Sequence, residues 1–170
     1  ALSAHDGRVV WQAKNGDALV GATATNAPRV FDRYVITGIS GGEYGVRGYL
    51  SAFDAQTGRL AWRGYSVGPD TEMLMDAERS MTWRDGRLQA VGPDSSLKSW
   101  PGEAWKTGGG TTWGWYAYDP ALRLLYYGSG NPGPWNPAQR PGDNRWTASL
   151  WARDIEDRKS TRLNSSHEWI

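Results

Sequence analysis

A repeated hairpin signature constrains the fold of this chain more than any other feature. Residues 1–11 read ALSAHDGRVVW and residues 52–62 read AFDAQTGRLAW, so an Ala, a Gly-Arg pair and a closing Trp recur in register. Residues 117–127 (AYDPALRLLYY) keep the opening and end in an aromatic residue, and a fourth copy begins at Ala152. Each copy predicts a strand, an Asp-containing turn with a Gly that tolerates positive φ, and a return strand whose Trp packs on the neighbouring unit. The spacing of the copies is irregular but close to the size of a four-stranded blade, so the repeat predicts an all-β, partial β-propeller.

Composition agrees with short strands and tight turns. The chain has 11 Trp against 2 Phe, 22 Gly, and only 22% charged residues. Another all-β fold, such as a sandwich, stays open on the repeat alone. Residues 68–106 are rich in Pro, Asp, Gly and Ser, which predicts an excursion from the blade.

Charge and cysteine content exclude several classes of partner and site. The formal net charge of +1 favours neither nucleic acid nor an anionic membrane as a partner. No apolar run approaches the roughly 18 residues of a transmembrane helix. The absence of cysteine excludes disulfides, thiolate metal sites and a thiol nucleophile.

Residues 39–49 (ISGGEYGVRGY) are the first segment whose residues suggest a ligand-binding site. A strand leads into Ser40, Gly41 and Gly42, followed by Glu43. Two glycines beside a carboxylate let the backbone approach a ligand and offer N–H donors next to an anionic oxygen. A Gly-rich turn with a solvated Glu is the alternative, and this segment alone does not decide between them.

Two further segments suit a flat ligand and a cation. In residues 106–119 (KTGGGTTWGWYAYD), hydroxyls and an indole beside flexible backbone suit a planar ligand with polar edges, while Trp115 is predicted to pack in the core. In residues 126–146, Asn131 follows a strand and could offer its amide oxygen to a hard cation, although such an Asn more often closes a turn.

Together these segments closely resemble the quinoprotein methanol and alcohol dehydrogenase family. The matching strings are SGGEYGVRGYLSAFDAQTG, WRGYSVGPDTEML, SSLKSWPGEAWKTGGGTTWGWYAYDP and YYGSGNPGPWNPAQRPGDNRW, which occur in family order over residues 1–154. The resemblance implies an eight-bladed propeller with pyrroloquinoline quinone on its axis. Residues 1–156 would supply roughly three to four of those blades.

The resemblance also implies roles for individual residues. Glu43 and Asn131 would be the carboxylate and amide ligands of a catalytic cation, either calcium or a lanthanide. The residues that would contact the quinone are Thr25, Ser40, Gly41, Gly42, Thr111 and, as the floor under its rings, Trp113. The cation would act as a Lewis acid while the alcohol passes a hydride to the quinone.

The choice of cation and the catalytic base depend on positions outside the chain. The sequences SGGE and SSLKSWPGEAWK are more similar to those of the lanthanide-dependent methanol dehydrogenases than to those of the calcium type, which usually has Ala in place of Gly42. The family's catalytic aspartate would fall at position 173, beyond Ile170, so no catalytic base is assigned. As a part of a propeller, the chain by itself is expected to be inactive.

Residues 157–170 break the pattern. The family would continue through a turn glycine to a Trp-ended strand, whereas RKSTRLNSSH has no turn glycine, no return strand and no apolar alternation. We therefore expect this tail to be non-native or disordered.

For the parent protein, the family implies a small primary alcohol as substrate and a cytochrome c-type electron acceptor. It also implies a periplasmic location, with the signal peptide outside this chain, and a homodimer or heterotetramer. One alternative is a non-catalytic propeller scaffold with quinoprotein-type repeats, which would need none of the three segments. Another keeps the cofactor but takes longer alcohols or polyols.

Overall fold

Ten short strands form two sheets in the computed structural model, which describes residues 1–156, 158 and 160–165. The first sheet has four antiparallel strands in chain order: β1 (Arg29–Phe31), β2 (Tyr34–Thr37), β3 (Tyr49–Asp54) and β4 (Leu60–Tyr65). The strands of the second sheet are β5 (Met81–Arg84), β6 (Arg87–Ala90), β7 (Tyr116–Asp119), β8 (Leu124–Gly128), β9 (Ser149–Asp154) and β10 (Ser160–Ser165). Their spatial order is β6-β5-β10-β9-β8-β7.

Helical structure in the described residues is limited to single turns. One α-helical turn, α1, spans Asp70–Met73. Short 3₁₀ turns span Ala18–Val20, Gly42–Tyr44, Leu97–Ser99, Ala104–Thr107 and Pro137–Gln139. None of the described helices is long and apolar enough to cross a bilayer.

The repeat signature forms the turn between β3 and β4. Asp54 Oδ1 accepts hydrogen bonds from the backbone N–H groups of Gln56 (3.1 Å) and Thr57 (2.8 Å), which closes an Asx turn. Gly58 has a φ of +72°, and a Cβ at this position would lie 2.5 Å from Cε3 of Trp11. The turn glycine is therefore required both by the backbone conformation and by the Trp of the preceding copy.

The copies at Ala52 and Ala152 occupy equivalent positions, whereas the copy at Ala117 does not. The N–H of Ala55 donates to the carbonyl of Arg33 (2.9 Å), and the N–H of Ile155 donates in the same way to Arg123 (3.2 Å). The hairpin β7–β8 therefore corresponds to β1–β2 and belongs to the same sheet as the fourth copy. The all-β partial propeller agrees with the prediction. The described residues form two sheets, preceded by an N-terminal Leu2–Val9 bridge.

Residues 68–106 form the predicted excursion. They contain α1 and the hairpin β5–β6, which extends the second sheet beyond β10. The join between β5 and β10 is parallel, through the pair Met81 and Arg162.

Residues 160–165 differ from the sequence expectation that no return strand follows β9. They form β10, which pairs antiparallel with β9 from Ser149 to Arg153. Strand pairing uses backbone N–H and C=O groups, so it does not require the apolar alternation that this segment lacks. Residues 157, 159 and 166–170 lie outside the described residues, and the predicted non-native origin of the tail stays a prediction.

The main core lies between the two sheets. Its fully buried side chains include Ile36 and Leu50 from the first sheet and Leu125 and Trp151 from the second. Trp151 stacks on Tyr127 with ring centroids 5.8 Å apart. The two sheets thus bury their apolar faces against each other, as neighbouring propeller blades do.

Candidate functional site

The predicted site residues come from three loops at strand ends. Ser40 to Glu43 follow β2, Thr111 to Trp113 precede β7, and Asn131 follows β8. Gly41 has a φ of +103°, and a Cβ there would lie 2.1 Å from the carbonyl oxygen of Gly21. This position therefore requires glycine and fixes how the chain turns into the 3₁₀ turn that carries Glu43.

Thr111 is the meeting point of the three loops. A Cβ built on Gly42 would lie 3.4 Å from Thr111 Oγ1, and one built on Gly130 would lie 3.5 Å from the same atom. The Gly130 position is also 3.2 Å from Trp113 Nε1, and its N–H donates to the carbonyl of Thr111 (2.7 Å). The structure therefore brings Gly42, Thr111, Trp113 and the residue before Asn131 together.

The triple glycine is packed against the Asn131 loop. The N–H of Gly110 donates to the backbone carbonyl of Asn131 (3.0 Å), and Gly109 forms an antiparallel bridge with Pro132. A Cβ on Gly109 would lie 2.7 Å from the carbonyl oxygen of Asn131. Glycine at this position permits a close approach of backbone to backbone that any side chain would block.

Glu43 and Asn131 both present unengaged side chains. Both residues are exposed, and neither side chain makes a hydrogen bond or ion pair with any described residue. A carboxylate and an amide oxygen are donors that a hard cation accepts, although such an ion takes about six to eight oxygens. The described residues contain no group of three or more His, Cys, Asp or Glu side chains able to hold a metal. The pair could therefore hold a cation only together with other ligands.

Thr25 and Ser40 are joined directly. Their hydroxyl oxygens lie 2.6 Å apart, and the N–H of Ser40 donates to the carbonyl of Thr23 (2.8 Å). Thr25 thus lies beside the wall formed by Ser40, Gly41 and Gly42. This position is what the prediction that these four residues contact the same ligand requires.

The two tryptophans of the Trp113-Gly114-Trp115 segment are both exposed. Trp113 is 57% exposed and Trp115 is 83% exposed. The predicted core packing of Trp115 is therefore wrong. The inward position belongs to the next residue, Tyr116, which begins β7 and is buried.

A cavity of 540 Å³ lies beside the candidate site rather than in it. It is lined by Lys14, Arg47, Arg63 and the rings of Tyr44, Tyr49 and Tyr65, among others, and by none of the predicted site residues. Its arginines are engaged structurally. Arg63 donates to the carbonyl of Asn15 (2.9 Å) and lies over the Tyr49 ring, and Arg47 donates to the carbonyl of Val67 (2.8 Å).

Comparison with known families decides which propeller this is. Residues 3–160 match the family model of the PQQ type described as the glucose/ethanol/alcohol dehydrogenase β-propeller domain. The chain belongs to this family. The match confirms the family resemblance and the propeller fold predicted from the repeat.

Two named members of the PQQ propeller family are similar in sequence to nearly the whole of this chain. A lanthanide-dependent methanol dehydrogenase of Methylorubrum extorquens is 51% identical over 154 residues, which is 91% of this chain and 25% of that protein. The methanol dehydrogenase [cytochrome c] subunit 1 of the same organism is 47% identical over 156 residues, which is 92% of this chain and 24% of that protein. The chain therefore spans about a quarter of the length of these relatives.

A solved structure of the PQQ propeller family has the same fold. The structure of a europium-containing methanol dehydrogenase superposes with a TM-score of 0.87 at 45% identity, covering 96% of this chain and 28% of that one. The two-sheet arrangement is thus the arrangement of a segment within a larger family member.

One residue of the candidate site was not predicted from the sequence. Asn26 follows Thr25 and contacts the backbone on both sides of Trp113. The only local signal was its adjacency to Thr25, because its partners lie 86 and 88 residues further along the chain.

Proposed function

We propose that this chain forms part of a quinone- and metal-dependent enzyme that oxidises a small primary alcohol to an aldehyde. The observation that carries the proposal is the convergence of Gly42, Thr111, Trp113 and Gly130 in a member of the PQQ propeller family. The substrate class is supported by relatives that are named methanol dehydrogenases.

The chemistry depends on two groups that the chain would share with the rest of the protein. When bound, pyrroloquinoline quinone supplies a carbonyl that accepts the hydride of the alcohol, and a hard cation supplies the Lewis acid that polarises this carbonyl. The residues of this chain bind and orient these groups.

Thr111 and its neighbours fit the quinone. Thr111 is only 5% exposed, and its hydroxyl has no hydrogen-bond partner among the described residues. The glycines at positions 42 and 130 leave open the space in front of that hydroxyl. We assign Thr111, Thr25, Ser40 and the backbone of Gly41 and Gly42 to the polar edge of the quinone, and the exposed indole of Trp113 to its face.

Glu43 and Asn131 fit the cation. Both side chains are exposed and have no partner among the described residues, and their oxygens are the donors that calcium and lanthanide ions prefer. A lanthanide is favoured because one relative is named lanthanide-dependent and one similar structure is europium-containing. Calcium is the second candidate.

The name of one relative supports an electron-transfer partner for the parent protein. The name of one relative includes cytochrome c, which supports a cytochrome as the electron acceptor of the parent protein. A periplasmic location and a homodimeric or heterotetrameric assembly complete the proposal.

The test uses the full-length protein that carries this chain. The apo-protein is titrated with Eu³⁺, with metal luminescence as the readout, and then with pyrroloquinoline quinone. We expect Glu43→Gln and Asn131→Ala each to weaken Eu³⁺ binding by at least about tenfold, since the first replaces an anionic carboxylate with a neutral amide and the second removes the amide oxygen. Alcohol-dependent dye reduction should fall with the occupancy of the site.

Glu103 supplies the matched control. It is also an exposed glutamate, and its side chain pairs with Lys106, three residues away. Glu103→Gln should leave Eu³⁺ affinity unchanged. If the full-length protein takes up neither the quinone nor a hard cation, the enzymatic proposal fails and a scaffold role is favoured.

A further inference from the structure

Asn26 and Thr25 together connect the two walls of the candidate site. The Thr25 hydroxyl bonds to Ser40 on one wall (2.6 Å). The adjacent Asn26 amide Nδ2 lies 3.5 Å from the carbonyl of Thr112 and 3.4 Å from that of Gly114 on the other wall. Two consecutive residues therefore connect the Ser40 loop to the segment that carries Trp113.

Trp113 depends on that backbone for its orientation. In the described part of the chain, its indole makes no hydrogen bond, ring stack or cation contact, and its side chain is 57% exposed. A ring without such anchors takes its direction from the dihedral angles of its own residue and from the neighbours that fix them. Those neighbours are Thr112 and Gly114, whose carbonyls both face the Asn26 amide.

The surroundings of Asn26 are buried and closely packed. Tyr116 donates its hydroxyl hydrogen to the Thr112 carbonyl (2.8 Å) and also contacts Asn26 Nδ2. Burial raises the pKa of Tyr116, so this hydroxyl stays protonated and remains a donor. A Cβ on Gly38 would lie 2.0 Å from the Thr112 carbonyl oxygen, so the backbone of Gly38 packs closely against this carbonyl.

The orientation of the Asn26 amide leaves its own oxygen atom without a hydrogen bond, which is unfavourable for folding. Its Oδ1 is buried and has no hydrogen-bond partner among the described residues. Buried polar atoms are satisfied in the great majority of cases, so an unsatisfied one needs an explanation. Directing Nδ2 toward the two carbonyls that flank Trp113 provides it.

We propose that Asn26 is a positioning residue that sets the plane of Trp113 against the quinone, acting through the carbonyls of Thr112 and Gly114. This inference rests on the proposed function, in which Trp113 lies against the quinone. The amide must be a donor here, because both of its backbone partners are acceptors. A carboxylate of the same shape would face carbonyl oxygens and move the segment.

The test is a double-mutant cycle on the full-length apo-protein, with the dissociation constant for pyrroloquinoline quinone as the readout. Asn26→Asp should weaken quinone binding by about tenfold. In a Trp113→Ala background the same substitution should change the dissociation constant by less than about twofold, because the ring through which Asn26 acts is gone. Asn26→Ala, which introduces no charge, should show the same coupling and serves if the Asp variant does not fold.

Asp54 gives a control for a purely structural role. Its carboxylate closes the turn between β3 and β4 by accepting from the N–H of Thr57 (2.8 Å), and it makes no hydrogen bond to Thr112 or Gly114. The isosteric Asp54→Asn should lower the thermal midpoint and leave quinone affinity unchanged.

The outcomes separate this inference from the function on which it rests. Equal losses in both backgrounds, or unchanged affinity in Asn26→Asp, overturn the inference alone. A wild-type protein that binds no quinone overturns the proposed function and this inference with it.

Discussion

The indole Nε1 of Trp62 donates a hydrogen bond to the backbone carbonyl of Ile155, 93 residues further along the chain, over 3.3 Å. Trp11 makes the same contact with the carbonyl of Ala55 (2.9 Å). In both cases the acceptor is the residue after the Asp of the next equivalent copy of the repeat. The closing Trp of the signature therefore joins one unit to the next, and the Asp turn of the next unit receives it.

We expect Trp62→Phe to lower the free energy of unfolding by about 1–3 kcal/mol, because the Ile155 carbonyl loses its donor inside a packed interface. Urea denaturation of the full-length protein measures this. Trp83→Phe is the control, since Trp83 is exposed on β5, and it should change stability by no more than about 0.5 kcal/mol. Equal losses in the two variants would contradict the role of the interblade hydrogen bond.

Arg153 on β9 links the second sheet to α1. It is 0% exposed, and its guanidinium donates to Tyr127 Oη (3.0 Å) and to the carbonyls of Met73 (2.9 Å) and Leu74 (3.2 Å). Arg153→Met should destabilise by about 3 kcal/mol or more, because several buried acceptors lose their donor at once.

The matched control for Arg153 is Arg123, which is half-exposed and paired with Glu156 over 3.6 Å at the surface. Arg123→Met should cost no more than about 1 kcal/mol. Chemical denaturation midpoints compare the two, and a larger effect at Arg123 would show that the hydrogen bonds of the buried guanidinium do not stabilise the fold.

Alanine substitutions at two glycines near the candidate site should have different effects on stability. A Cβ on Gly42 would be in ordinary contact with Gly109 Cα at 3.4 Å, whereas one on Gly48 would lie 1.9 Å from the carbonyl oxygen of Gly110. Gly42→Ala should therefore change stability by no more than about 0.5 kcal/mol. Gly48→Ala should destabilise by about 3 kcal/mol or prevent folding. Thermal unfolding distinguishes them, and marked destabilisation by Gly42→Ala would show that packing within the chain dictates glycine there.

Asp70 should make stability fall as pH rises. Burial, followed by the charge of Asp94, raises the pKa of Asp70 above its ordinary value of 3.8, and its Oδ1 is buried without a partner among the described residues. The folded state thus favours the protonated acid, so the stabilising contribution present below pH 3.8 is lost as pH rises through the higher folded pKa. Asp70→Asn should be at least as stable as the wild type at pH 7, with the difference shrinking toward pH 3.8.

Asp54 should change stability with pH in the opposite direction. Hydrogen bonds from Thr57 lower its pKa below 3.8, so its contribution is present above that value and is lost as pH falls through the folded pKa. Asp54→Asn should lower stability at pH 7, and the difference should close in acid. Denaturation series at several pH values test both variants, and the same sign for the two would contradict this account.

Much of the candidate site could be predicted from local sequence. Gly41 and Gly109 mark places where the backbone of one segment closely approaches the backbone of another, and both lie in glycine-rich segments that the sequence identifies as candidate sites. The Asp-Gly turn of the repeat likewise forms from its own residues. Local chemistry therefore indicated the strands, the turns and the segments that meet.

Only the tertiary structure decided which copies of the repeat occupy equivalent positions and which side chains contact distant parts of the chain. The copies at Ala117 and Ala152 look alike in sequence but lie on different strands of one sheet, because strand order is set by pairing across long separations. The exposure of Trp115, the pairing of residues 160–165 with β9 and the contact of Asn26 with Thr112 have the same origin. Each depends on which surface packs opposite a residue, and that surface comes from a part of the chain that a local pattern does not contain.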